Sequence, residues 1–452
     1  MLKKSLAAAL SAAILIGLNT KTILAQSDID LIREEIKQLK QSYESRISDL
    51  ESKLESAIQA LDSKVPTVDQ SASASGGRMI LDNAFNPSVG VILSGTYREH
   101  STTESEIAGF QLGHEGERPD SGFGLNHSEF NFSANVDDKF TGSSTFAIAE
   151  HEGETEVELE EAYLMTLPGA GTPGDITFKF GRAFWTLGYL NEQHAHTDDF
   201  VDRPLPYRAF LNHSYNDDGI EITKLLPTDI YSEVGVGLFR GNDFPFGGPD
   251  GEGAGAMSAF YRIGGDIGTN KTWRLGMYQL NGEAPGGRTV TEDGDSVTFT
   301  GDVDMTVFDL RYTYAPNGNP RDKEITFTAE HFSRDEDGTY EDTEAATGAV
   351  DFIGEQKGWY AAGVYKFSPK GRIGIRYSKL ASNPVPAGLA GSALDSAGHN
   401  PTAMSVMTDW TNSEFSRIRL QFNREDLANN QRDDQVLLQY IMSFGAHGAH
   451  KY

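Results

Sequence analysis

Imidazoles and carboxylates crowd one short stretch of this chain: His194, His196, Asp198 and Asp199 fall within six residues. Imidazole together with carboxylate is ligand chemistry for Zn²⁺ or a similar divalent cation. The H-x-H-x-D-D order lacks the one-turn spacing of a helical H-x-x-x-H pair, so two readings stand: an ordered hydrogen-bonding loop, or a site that contacts a metal in transit. His447 and His450, in the tail GAHGAH, offer the same donors on a terminus with few companions. The chain has no cysteine, which removes thiolate metal sites and disulfide frameworks. No resident cofactor is expected. His127 and Ser128 place a base beside a nucleophile in sequence, but neighbours along an extended backbone point to opposite faces. No Gly-x-Ser-x-Gly occurs either, so catalysis is not expected.

The elements that must position these groups are read from periodicity. Phe130, Phe132, Ala134 and Val136 alternate with Glu129, Asn131, Ser133 and Asn135, which is a strand with one apolar and one wet face. The pattern recurs and predicts 16 strands, at 88–97, 127–136, 140–149, 156–166, 176–184, 219–226, 230–239, 256–266, 272–280, 303–314, 323–332, 358–367, 371–380, 403–410, 415–423 and 433–444. Short turns, as at 137–139, 227–229, 268–270, 369–371 and 411–414, alternate with long connections. Such asymmetry is that of an all-β transmembrane antiparallel β-barrel, with tight periplasmic turns, long outer loops and both ends on the periplasmic side. A content of 38% hydrophobic residues with 10% aromatic and 48 glycines agrees, because a barrel wall buries apolar side chains only on its lipid face. The formal net charge of −28 speaks against nucleic acid and anionic membrane surfaces as partners.

Three segments precede the barrel, which is expected over 81–452. Lys3 and Lys4, the apolar run from Leu6 to Leu18 and the small Ala25 read as a signal peptide over 1–25. From 28 to 65, Ile29, Ile32, Ile36, Leu39, Tyr43, Ile47, Leu50, Leu54, Ile58 and Leu61 recur at steps of three and four, which predicts a periplasmic α-helical coiled coil. Pro66 ends it, and a Ser/Ala/Gly-rich linker runs to residue 80. Export with this architecture implies the outer membrane of a Gram-negative cell.

The segments AIAEHEGETEVELEEAY (147–163), LNEQHAHTDDFVDRPLPYRAFL (190–211) and DWTNSEFSRIRLQFNRE (409–425), with the GAHGAH tail, resemble a proteobacterial outer-membrane family often labelled zinc-regulated. A broader likeness is to phosphate-selective and other trimeric porins. The resemblance implies a channel for small hydrophilic solutes, zinc or small anions among them, and with the coiled-coil seam a homotrimer. Members are sometimes called TonB-dependent receptors. Here, however, no globular plug fits between linker and first strand, and the span is short for about 22 strands, so the porin branch is the expectation. A structural envelope tether or a receptor-like barrel is the alternative. Tyr452 is the terminal aromatic residue that barrel-assembly machinery often requires, although the last strand, with Tyr440, Met442 and Phe444 toward lipid, is expected to close at Phe444.

Alternation also assigns the wall. Phe308, Leu310, Tyr312, Tyr314, Ile418, Leu420 and Phe422 take the lipid face. Lys179, Arg274, Arg311, Arg372, Arg376, Arg417 and Arg419 then face a watery lumen, opposed by Glu129, Glu156, Glu158, Glu160, Asp309 and Glu330. An acidic wall facing an arginine wall would set up a transverse field. The connection from Trp185 to Asp218 is aromatic, proline-bearing and charged, and is expected to fold inward as a constriction that presents His194, His196, Asp198 and Asp199 to the solute.

Overall fold

A computed structural model of the chain describes residues 87–445, apart from 104, 152–153, 168, 248–252, 293–294 and 414, together with Lys37. The expected signal peptide and linker, the expected coiled coil apart from Lys37, and the histidine-bearing tail lie outside the described residues.

Residues 87–445 form one antiparallel sheet. Its strands are β1 (Ser88–His100), β2 (Gly122–Leu125), β3 (Ser128–Asn135), β4 (Phe140–His151), β5 (Glu154–Thr166), β6 (Ile176–Phe184), β7 (Asn216–Leu225), β8 (Tyr231–Phe239), β9 (Ala256–Asp266), β10 (Lys271–Glu292), β11 (Asp295–Tyr314), β12 (Glu324–Asp342), β13 (Val350–Ser368), β14 (Gly371–Ala381), β15 (Thr402–Ser413), β16 (Ser416–Ala428) and β17 (Gln431–Gly445). Each strand from β3 to β17 pairs with its sequence neighbours, and β1 pairs with β17 from Gly90↔Gly445 to His100↔Gln435, which closes the ring. β2 and β3 occupy one position in the wall: Gly95–Arg98 of β1 pair with β2, and Ser88–Ile92 pair with β3. The result is a closed barrel of 16 strand positions, with no free edge.

Every predicted strand is present, but four run much further than the alternation suggested. Residues 281–292, 295–302, 333–342 and 350–357, expected as loops, continue β10 to β13 as long hairpins. The reason is an inversion of polarity along the strand. In the lower half of β12, Ile325 and Phe327 point outward while Thr326, Thr328 and Glu330 are buried inside. In its upper half, Asp335 and Asp337 point outward, and Phe332 and Tyr340 point inward beside the buried Arg334–Glu336 pair and Asp342. β11 does the same, with Asp302 and Asp304 outside and Phe299, Val303 and Met305 inside. A test for apolar side chains on the lipid face therefore ends each strand at the membrane boundary, where the physical requirement on its outer face reverses.

The outer belt is apolar and aromatic. Trp359, Tyr365 and Phe367 of β13, Phe308 of β11 and Tyr440, Met442 and Phe444 of β17 are all exposed, as a lipid-facing surface must be. The inner face departs from expectation. Glu129, Glu330, Asp309, Arg376 and Arg419 do point inward, but each is less than 9% exposed, so they do not line open water. Above them Tyr207, Phe210, Phe239, Phe246, Phe299, Phe332, Tyr340 and Leu380 pack into an apolar core inside the barrel. Ile107, Phe110 and Leu112 from the β1–β2 connection, and Leu389 and Leu394 from the β14–β15 connection, fold down into that core.

The inversion makes a direct prediction. An arginine at lipid-facing Ile375 should destabilise the barrel by about 2–4 kcal/mol, whereas an arginine at Asp335, outside the belt, should stay within about 0.5 kcal/mol. Denaturant unfolding from lipid vesicles measures both; equal penalties would mean that the long hairpins are not above the membrane.

Candidate functional site

The 31 residues between β6 and β7, Trp185 to Tyr215, run as a strap across the barrel interior. Its two ends are held together by one side chain. Asn191 donates through Nδ2 to the carbonyls of Trp185 at 2.8 Å and Tyr215 at 2.9 Å, and its Oδ1 accepts from the Tyr215 amide at 2.6 Å. Arg203 staples the middle by donating to the Leu190 and Gln193 carbonyls at 2.6 Å each, and it pairs with Asp198 at 2.6 Å. The strap ends in a short helix, α1 (Leu205–Leu211), opened by Pro204 and Pro206 and closed by Asn212 at φ 47°, the left-handed position where asparagine is tolerated. All seven residues of α1 are buried. Gly116 from the β1–β2 connection lies over it, accepting from Arg208 Nε at 2.9 Å, and a Cβ on Gly116 would come within 2.5 Å of the Arg208 carbonyl oxygen.

Charge sorts the strap between two walls. At one wall, His194 Nδ1 lies 3.0 Å from Glu129 Oε2 and 3.4 Å from Glu160 Oε2, and its Nε2 lies 3.0 Å from Glu161 Oε2. His196 Nδ1 is 2.7 Å from Glu129 Oε1. At the other wall, Asp199 meets Arg372 at 2.6 Å, and Arg372 also holds Asp409 at 2.6 Å. Asp202 meets Arg376 at 2.8 Å. Arg419 donates to the Asp198 carbonyl at 2.6 Å, and Arg417 donates to the His196 carbonyl. Phe200 packs between these contacts on Val364 and Met407.

The remaining anchors fix the start of the strap. Glu330 accepts from the Tyr189 amide at 2.5 Å, the Tyr360 hydroxyl at 2.5 Å and the Tyr207 hydroxyl at 3.1 Å. Glu192 pairs with Arg262 at 2.6 Å. The Tyr189 ring is covered by Arg311 at 4.3 Å and Arg274 at 5.1 Å; Arg274 in turn holds Asp309 at 2.7 Å.

The structure thus brings His194 and His196 together with Glu129 and Glu160, and separates them from Asp198 and Asp199, which turn toward arginines. A four-residue set of the two histidines and two aspartates is not assembled. Nor does an acidic wall face an arginine wall across water, because the strap lies between them and meets each with opposite charge. Lys179 stands 3.9 Å from Glu161 and 4.3 Å over the Tyr163 ring. Glu158 is half-buried and Glu156 exposed, toward the upper end of β5. His127 turns to Glu160 at 2.9 Å while Ser128 bonds Ser94, so the two part as their adjacency implied.

Alternation missed Glu161 for a definite reason. A bulge pairs Glu161 with Thr145 and Leu159 with Phe146, leaving Glu160 as the extra residue, so consecutive glutamates both turn inward. Arg262 was legible by the same alternation, between outward Tyr261 and Ile263, and Asp202 extends the acidic run that begins at Asp198.

No family model matches the chain. An uncharacterized protein of Aquifex aeolicus (strain VF5) is 26% identical over 401 residues, covering 82% of this chain and 80% of its own length. Among solved structures, the outer membrane channel DcaP of Acinetobacter baumannii matches with a TM-score of 0.50 at 12% identity, over 79% of this chain and 97% of that one. The anion-selective porin from Comamonas acidovorans gives 0.49 at 8% identity, over 79% and 99%. The likeness to DcaP is one of fold: this chain has the closed 16-stranded barrel of outer-membrane porins.

Both fastenings depend on protonation. Burial alone would raise the Asp199 carboxyl, but Arg372 and Arg311 hold it below the ordinary range. That contribution is present above the ordinary carboxylate value of about 3.9 and is lost as pH falls through the lowered value. For His194, burial lowers and the glutamates raise, and the glutamates prevail, placing it well above the ordinary imidazole value. Its contribution is complete below about pH 6.5 and is lost as pH rises through the raised value. Because the chain has no cysteine, a spin label on Ala195→Cys reports the strap alone. The label should be immobile from weakly acid to neutral pH and mobilise at both extremes; mobility that does not change with pH would contradict the two-ended fastening.

Proposed function

We propose that this protein is an outer-membrane channel for small hydrophilic solutes, with the strap from Trp185 to Tyr215 as its constriction. The observation that carries this reading is the strap itself: an inward loop fastened by polar side chains to two separate stretches of wall, inside a closed barrel with a lipid-facing belt. A barrel serving only as an anchor gains nothing from charges arranged on either side of a loop. With most inward charges buried, the strap-down form is the narrow one, and conduction is set by how far the strap leaves its walls.

Small anions are the favoured solutes. Arg311 and Arg417 point inward, and neither has a carboxylate within 4 Å among the described residues: Arg311 covers Tyr189, and Arg417 donates to a carbonyl. Zinc as a permeating partner of the two histidines is not favoured, because His196 is 4% and Glu129 1% exposed, and a transit site must be open and weak. We assign no catalytic role. The coiled-coil stripe over 28–65 supports a homotrimer with the coil in the periplasm and delivery by barrel-assembly machinery.

Planar-bilayer recording tests the reading. The full-length chain should give small steps in groups of three, reversal potentials in asymmetric salt should favour anions, and deletion of 190–203 should raise the unit step several-fold. Ungrouped steps would remove the trimer, and cation preference would remove the anion assignment. Silence of both parent and deletion variant, with barrels shown folded by heat-modifiable gel mobility, would leave the structural tether.

A further inference from the structure

The histidine end of the strap carries more than hydrogen bonds. Glu129, His194 and His196 each present a ligand atom, and the three atoms lie within 4.8 Å of one another. Donors on one ion at the usual 2.0–2.2 Å stand at most about 4.4 Å apart, so a contraction of a few tenths of an ångström completes the set. We propose that Glu129, His194 and His196 bind one first-row divalent cation of the zinc type, which clasps the strap to the barrel wall. This inference concerns regulation of the constriction and rests on the channel reading only for its consequence.

Three further features fit. Glu160 Oε2 is buried, makes no hydrogen bond among the described residues and faces His194 Nδ1 at 3.4 Å, which is where a fourth ligand belongs. Glu161 lies behind His194, 3.0 Å from Nε2. That is the outer-shell carboxylate which fixes a ligating imidazole and strengthens it as a donor. The donors are two nitrogens and carboxylate oxygens, a set that suits Zn²⁺ and its neighbours over Ca²⁺ or Mg²⁺. On binding, the ion takes the place of the imidazole protons at the two Nδ1 atoms, those protons leave to solvent, and Nε2–H of His194 stays on Glu161. Enclosure gives the site its character: ligands this buried retain an ion, whereas a permeation site releases it.

The ion bridges two parts of the chain, since Glu129 belongs to β3 and both histidines to the strap. Occupancy therefore adds a clasp at this end to the imidazole–glutamate contacts and holds the constriction closed more firmly.

Isothermal titration of Zn²⁺ into the chelator-stripped, detergent-solubilised full-length chain tests the site without requiring conduction. One ion per chain is expected, unaffected by millimolar Ca²⁺ or Mg²⁺, with affinity reduced at least tenfold in His196→Ala and in Glu129→Gln. Heat-modifiable gel mobility shows whether each variant barrel is folded. Absence of binding by the folded parent overturns the proposal. So does binding that survives both substitutions and disappears when residues 446–452 are removed, which would assign the ion to the tail histidines. If zinc binds as expected while the bilayer stays silent, the clasp stands and the channel reading fails.

Discussion

Buried charge must be met by opposite charge, and the interior of this barrel is organised by that requirement. The side chain of Glu129 on β3 is 1% exposed and that of Arg419 on β16 is fully buried. Leaving either without a partner would cost about 3–5 kcal/mol. The acidic wall of β3 and β5 and the basic wall of β14 to β16 are separate stretches of the ring, with β17 and β1 between β16 and β3. The strap resolves this by presenting histidines to the first and aspartates to the second. Remove it, and each wall needs water or counterions to take its place. A loop held in this way is fixed while its charges are matched, and releasable when either set of charges changes.

The upper barrel shows the same economy with apolar surface. Within the membrane the strands are apolar outside and polar inside; above it, β11 and β12 turn carboxylates outward, and α1 with the β1–β2 and β14–β15 connections fills the interior with apolar side chains threaded by buried ion pairs such as Arg288–Glu336 and Arg208–Glu425. The strap is therefore held by two different physical means, ionic at the level of His194 and Asp199, and apolar at the level of Tyr207 and Phe210. Movement confined to 190–203 would widen the interior without unpacking α1.

Much of this was legible in the sequence. The period of two placed all 16 strand positions, because lipid on one face and a polar interior on the other impose strict alternation. It also placed Glu129, Asp309, Glu330, Arg372, Arg376, Arg417 and Arg419 inward. It failed where a second constraint entered. The long hairpins of β10 to β13 were hidden because their outer faces meet water, and Glu161 was hidden by a bulge that no alternation rule foresees. The stretch containing His194, His196, Asp198 and Asp199 was found, but its composition suggested one cluster. Only the three-dimensional path shows that two residues of chain carry it from a wall of glutamates to a wall of arginines.

The central claim is that opposite charges between strap and wall set the width of the passage. A charge exchange at Asp202 and Arg376, whose side chains meet at 2.8 Å, tests it most directly through single-channel conductance. Asp202→Arg alone and Arg376→Asp alone should each place like charges together and raise the unit conductance. The double variant restores an opposite-charge pair in reverse and should bring conductance back toward that of the parent. A double variant at least as conductive as the more open of the two singles would contradict the account.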